Sequence, residues 1–183
     1  MTPNSNGLPS LPAILKSLVD RIRAIQWTNP SGTTEPAFER VEVGDVTDLK
    51  EVMGRLIINQ SRICVLIYSG DDFSADRRGT DLHVTARHTV VCLIADRVLG
   101  DRVEAYMGNG STPGAFELQR LVVGAVTGNL LENPKGAYCV PLQGNPIGIQ
   151  SATEGLPGRA AIELDLEITG GEIRSSIGRT PIR

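Results

Sequence analysis

Aromatic residues are scarce in this chain of 183 residues: three Phe, three Tyr and one Trp make up 4% of it. A core built from it must therefore rest on Val, Ile, Leu and Ala. A basic surplus is missing too. Lys and Arg number 18 against 21 Asp and Glu, a net charge of −3, which argues against wrapping DNA or an anionic membrane. No apolar run approaches the ~20 residues that span a bilayer, and the first ten residues have neither a basic start nor an apolar stretch, so no signal peptide is expected. Cysteine is limited to Cys64, Cys92 and Cys139, odd in number and widely spaced, two of them inside strand-like apolar runs. Buried free thiols in a chain folded in a reducing cytoplasm are the expectation, in preference to a disulfide framework or a metal site.

What is present is 40% hydrophobic residues, 21% charged residues and 11 prolines, the balance of a globular domain with room for a real core. Leu11, Leu15, Leu18, Ile22 and Ile25 share one helical face, and the spacing predicts a helix from Ser10 to Gln26. The segment Thr28 to Pro36 reads as loop, Arg40 to Val46 as a short strand, and Thr47 as the cap of a second helix striped by Leu49, Val52, Met53 and Leu56. The β-branched runs from Arg62 and from Leu82 predict two central strands covered on both faces. Gly70 to Asp81 between them is polar, a solvated hairpin loop or extended arm.

Leu118, Leu121, Val122 and Ala125 mark a third helix that Gly128 ends. Tyr138 to Leu142 and Ile147 to Ser151 are short strand candidates interrupted by Pro141 and Pro146. From Arg159 to Ile168 the pattern alternates: Ile162, Leu164, Leu166 and Ile168 face one way, Glu163, Asp165 and Glu167 the other. The expected fold is α+β: a mixed, mainly antiparallel sheet of four to five strands on two or three helices. Residues 1–169 form one domain and 170–183 a flexible C-terminal arm carrying Arg174, Arg179 and Arg183. No internal repeat is visible.

Three features invite a chemical reading. The stretch from Gly108 to Gly114 is a glycine-rich loop before a helix, where phosphates often bind, but its glycines are spaced wrongly for a Walker or dinucleotide motif and no Lys-Ser/Thr follows. A turn explains it better, with Thr112 as cap and Pro113 at the first helical position. His83 and His88 lie five apart on one strand and so point to opposite faces, a surface histidine and a packed one. Ser111 does not sit in a nucleophile elbow. Side chains two apart on a strand are about 6.7 Å from each other, so neighbours in the row Glu163, Asp165, Glu167 repel by only about 0.6 kcal/mol in water. A wet, acidic strand face is expected, with no metal, cofactor or catalytic residue.

The order of elements resembles that of the tail terminator (tail-completion) proteins of tailed bacteriophages, in particular the form found in Mu-like contractile-tailed phages. The resemblance is carried by Thr89 to Arg97, Gly110 to Gly128 and Arg159 to Ile168, and as a pattern it covers Leu11 to Ile168. It implies a non-enzymatic virion protein assembled in the host cytoplasm and resident at the head–tail junction. Six copies would close a ring on the tail tube, ending polymerisation of the tube and of any sheath, and offering a surface to head-completion or connector proteins. Genomic DNA would pass through the lumen without specific binding. On that reading Glu163, Asp165 and Glu167 would line the lumen. Asp71, Asp72, Asp76, Arg77, Arg78, Arg174 and Arg179 would touch neighbouring subunits or the tube. A head-closure or other neck ring is an alternative within the same class. A small α/β enzyme or ligand-binding domain using the Gly108–Gly114 loop is the alternative outside it.

Overall fold

A computed structural model describes residues 10–44, 62–78, 81–97, 102–131, 137–147 and 159–176. The expected second helix at Thr47 lies outside them. The fold is α+β, with helices α1 (Leu11–Arg23), α2 (Arg102–Met107) and α3 (Ala115–Val126). The strands are β1 (Gln26–Thr28), β2 (Thr34–Pro36), β3 (Arg40–Gly44), β4 (Arg62–Arg78), β5 (Asp81–Arg97), β6 (Gly128–Asn129), β7 (Tyr138–Ile147) and β8 (Arg159–Ser176). Six of them form one mixed sheet in the order β3-β4-β5-β8-β7-β6, with β3 parallel to β4 and every other pair antiparallel.

The sheet has two apolar faces over β4 and β5 because Ile63 to Ile67 and Val90 to Ala95 are apolar at every position. On one face Cys64, Leu66, Val90, Cys92, Ile94, Leu164, Leu166 and Ile168 form a single core with Ile14, Leu18 and Ile22 of α1 and Leu118, Val122 and Val126 of α3. On the other, Ile63, Val65, Ile67, Leu93, Ala95 and Ala161 are buried in a second cluster. Aliphatic packing does the work that aromatics do elsewhere; Trp27 and Phe38 sit at the margin of the first core. Two arginines in the last turn of α1 fasten it to the sheet, Arg23 donating to the carbonyl of Val41 at 2.8 Å and Arg21 to that of Asn129.

Several elements depart from the sequence reading. α1 stops at Arg23, three residues before Gln26, because the chain turns into a small hairpin where only loop was expected. β1 and β2 pair from Gln26↔Pro36 to Thr28↔Thr34, the two threonine hydroxyls bond at 2.8 Å, and Gly32 takes φ +85° in the turn. The first short strand expected, Tyr138 to Leu142, extends to Ile147 as β7, through Pro141 and Pro146 with a bulge between Pro141 and Gln143; of the second, Ile147 to Ser151, all but Ile147 lies outside the described residues. Proline is tolerated there because β7 lies near the sheet margin. The polar stretch after Gly70 is strand up to Arg78, and β8 continues the ladder to Ser176, so the first residues of the expected flexible tail are paired with β5. α2 was not foreseen. α3 ends as expected, with Gly128 at φ +98° just past its last turn.

Candidate functional site: the arm and the acidic strand face

β3 covers β4 only from Ile63 to Ile67, and β7 reaches along β8 only to the pair Tyr138↔Thr169. Past those limits β4, β5 and β8 continue alone as a three-stranded arm, ending at Arg78↔Asp81 and Asp81↔Ser176. Eight residues of strand from Asp71 to Arg78 make the arm about 26 Å long. The long polar stretch is therefore an arm with a ladder of backbone hydrogen bonds.

A bulge marks where the arm leaves the body. Register shifts between Tyr68↔Val90 and Gly70↔Thr89, with Gly70 at φ +147°. The extra residue puts Tyr68 and Asp71 on the same face, which changes what each side chain can reach. Asp71 stands opposite His88 and accepts a hydrogen bond from its Nδ1, while the Tyr68 hydroxyl bonds the same carboxylate. That carboxylate bond, more than burial, pushes the Tyr68 phenol up to about 12. Desolvation pulls the Asp71 carboxyl upward, but the bonds from Tyr68 and His88 together outweigh it and hold the group below its ordinary value. The ring of His88 is buried, and its Nε2 has no hydrogen-bond partner. His83 is buried as well, opposite Asp76, so both histidines are packed and neither is the expected surface one. They do lie on opposite faces.

Beyond the bulge, residues alternate cleanly. Asp71, Phe73, Ala75 and Arg77 continue the face that the helices cover in the body, opposite His88, Ala86, Val84 and Leu82. Asp72, Ser74 and Asp76 take the other face, with Arg87 opposite Asp72. Phe73 is 58% exposed, although nothing on the arm covers it. Asp72, Arg77 and Arg87 are also exposed. Arg78 closes β4, Arg174 pairs in register with His83, and Arg179 lies outside the described residues. Phe73 was missed in the sequence because the charges around it read as loop; its alternation with Asp72, Ser74 and Asp76 was the available signal.

Glu163, Asp165 and Glu167 do occupy one face of β8, opposite the buried Ile162, Leu164, Leu166 and Ile168. The face is not simply wet. All three are half-buried, and their cross-strand neighbours are Leu93 and Asn145, Val91 and Gln143, and Thr89 and Val140. Toward the sheet margin, Tyr138 and Val140 stand 53% and 50% exposed beside Glu167 and Thr169. No ion pair reaches any of the three carboxylates among the described residues. The row is thus an acidic and apolar surface that meets no cation in an ion pair among the described residues.

The Gly108–Gly114 stretch is a turn held by its own atoms. A Cβ at Gly114 would lie 2.2 Å from the amide nitrogen of Gly108, and one at Gly108 would lie 2.6 Å from two carbonyl oxygens of the same loop. The loop amides are spoken for: Asn109 Oδ1 accepts from the backbone nitrogens of Ser111 (3.1 Å) and Thr112 (3.2 Å), and the buried Asp96 accepts from Gly114 at 3.1 Å. Thr112 therefore does not cap the helix. The N-cap is Gly114 at φ +75°, and helix α3 begins at Ala115. The true polar anchor is Asn109, which the glycine spacing hid.

The three cysteines are free and buried, Cys64 and Cys92 with their sulfurs 3.1 Å apart. The thiol contact with Cys92, then burial, raises Cys64 well above its usual value, and burial pushes Cys139 up to about 12. Such thiols are protonated and poor nucleophiles. Among the described residues no group of three His, Cys, Asp or Glu converges as metal ligands, and no helix is long and apolar enough to cross a membrane. No protein-family model matches the chain, and no curated protein matches it in sequence.

Proposed function

We propose that this chain is a structural protein of a phage tail, closing with copies of itself into a six-membered ring that caps the tail tube, ends its growth and receives the head. The observation that carries this reading is the arm. A monomer gains nothing from about 26 Å of β-ribbon that leaves Phe73 in water and Arg77 exposed near its end, whereas a subunit that must grip a neighbour or a tube does. A contact between unlike surfaces closes a ring when the rotation per subunit divides the circle, and the molecule has unlike surfaces: an arm that exposes Phe73 and Arg77 on one face, and an acidic strand face. The rival reading, a phosphate- or ligand-binding domain, needs free amides in the Gly108–Gly114 turn, and Asn109 and Asp96 already take three of them.

The test is native mass measurement combined with negative-stain imaging of the purified protein, alone and mixed with isolated tail tubes of its phage. Six-fold rings, or tubes capped at one end, are expected. A monomer at all concentrations that leaves tubes uncapped sinks the proposal.

A further inference from the structure

The arm and the acidic row are complementary in a way that no single copy can use. Phe73 and Arg77 lie on the helix-covered face of the sheet, opposite Ala86 and Leu82. Glu163, Asp165 and Glu167 lie on the reverse face, opposite Leu93, Val91 and Thr89. Both sets belong to one continuous sheet, so the arm of a molecule cannot fold onto that molecule's own row. Any contact between them is a contact between two copies.

The dimensions agree. Phe73 and Arg77 are four residues apart on one face, about 13 Å along the strand. The row from Glu167 to Glu163 is also four residues, and its Glu167 end carries the exposed Tyr138 and Val140. An arm laid along the row with Phe73 against Tyr138 and Val140 brings Arg77 to the Asp165–Glu163 end. Arg77 then meets carboxylates that have no cation among the described residues, and an exposed aromatic ring meets exposed apolar side chains. Desolvating the charges at such a seam strengthens their attraction, and the ring contact supplies area.

We infer that the reverse face of β7 and β8 is the docking site for the arm of the neighbouring subunit, a head-to-tail contact made by Phe73 and Arg77 of one copy on Tyr138, Val140 and the Glu163–Asp165–Glu167 row of the next. This inference rests on the ring reading and changes one part of it: the acidic row lies in the seam between subunits and does not face the lumen.

A charge swap tests it. One variant carries Arg77→Glu, the other Glu163→Lys, Asp165→Lys and Glu167→Lys; circular dichroism and thermal melting establish that each folds. Each alone should self-associate at least tenfold more weakly than the parent by analytical ultracentrifugation. Mixed in equal amounts they should assemble again, because the acidic arm of the first now meets the lysine row of the second, while the arginine arm of the second meets the carboxylates of the first. Phe73→Ala should likewise weaken assembly of the otherwise unaltered chain about tenfold. If the parent forms rings and both swapped variants do so equally well, or if the mixture fails to assemble, the seam lies elsewhere and the ring reading survives. A parent that never associates removes both. A swapped variant that does not fold is replaced by its neutral counterpart (Gln for Arg, or Gln and Asn for the acids), for which a loss below threefold overturns the inference.

Discussion

Gly114→Ala puts the account of the glycine-rich turn at risk. Gly114 holds φ +75°, where a side chain costs about 1–2 kcal/mol. The added methyl would also lie 2.2 Å from the amide nitrogen of Gly108 and 2.7 Å from the carbonyl carbon of Met107. Both are backbone atoms that can move only if α2 and α3 part. Overpacking of this kind costs a further ~1–3 kcal/mol, so the variant should lose about 2–5 kcal/mol. In a chain of this length that is a fall in Tm of roughly 4–20 °C. The matched control is Gly124→Ala, in the middle of α3, where an added Cβ meets nothing within 4 Å. There alanine should stabilise by about 0.5–1 kcal/mol through helix propensity alone. Urea unfolding followed by circular dichroism measures both. A Gly114→Ala protein as stable as the parent would show that the crossing of Gly108 and Gly114 is not what the glycines are for. Nucleotide binding that disappeared in that variant without loss of stability would restore the phosphate-cradle reading.

Leu18→Ala and Leu118→Ala, both in the core between helices and sheet, should each cost about 2–5 kcal/mol in the same unfolding assay, whereas Phe73→Ala should change monomer stability by less than about 0.5 kcal/mol because the ring is exposed. Asp71 has a folded pKa below its unfolded value, so its contribution is present above about pH 4 and lost as pH falls through the folded value; Asp71→Asn should flatten the acid limb of a Tm-against-pH curve. Tyr68 is the opposite case: raised to about 12, it contributes fully below about pH 10 and loses its share as pH rises through 12, so Tyr68→Phe should be less alkali-sensitive than the parent. Ellman's reagent should find none of the three thiols in the folded protein within minutes and all three in denaturant; one fast thiol under native conditions would contradict the burial.

The parts of the fold that show in the sequence are those in which period and burial agree. Ile162, Leu164, Leu166 and Ile168 alternate because the final strand is buried on one side, and the runs at Ile63 and Val90 lose their alternation because both faces of the central strands are covered. The strand structure of the arm, expected as hairpin loop or extended arm, was hidden for the converse reason. Outside the body both of its faces meet solvent, so the two-residue period carries no contrast of hydrophobicity, and Asp71 to Arg78 has the composition of a loop. The same masking concealed the link between Tyr68, Asp71 and His88, which depends on a one-residue bulge at Ser69 that no composition announces. The row of carboxylates was legible in position, but not its apolar company, because Tyr138 and Val140 are brought beside it by pairing across some thirty residues of chain. Helix α2 is short, and its Val103 and Met107 point outward, so it has little amphipathic signature to read.

A sheet with strands this long ought to be sticky along its margins, and the way it avoids this narrows how the copies can meet. Beyond the two residues paired with β6, the edge of β7 turned away from β8 has no strand partner among the described residues. That margin carries Pro141, Pro146 and a bulge, each of which spoils a new ladder. The outer half of β4 is likewise without a strand on its far side among the described residues, and there the guard is charge, in Asp71, Asp72, Asp76 and Arg77. Edge-to-edge addition would also have no natural end, since each added copy would present a fresh margin. Association through faces differs: an arm that rests on the reverse face of the next copy uses one donor surface and one acceptor surface per molecule, and growth stops when the last arm finds the first row. Guarded edges together with an unguarded aromatic and an acidic face that meets no ion pair among the described residues favour closed assembly over fibres. On the proposed seam, the charges that make the arm look like a loop in the sequence do two jobs, guarding the β4 edge while presenting Arg77 to the neighbouring copy.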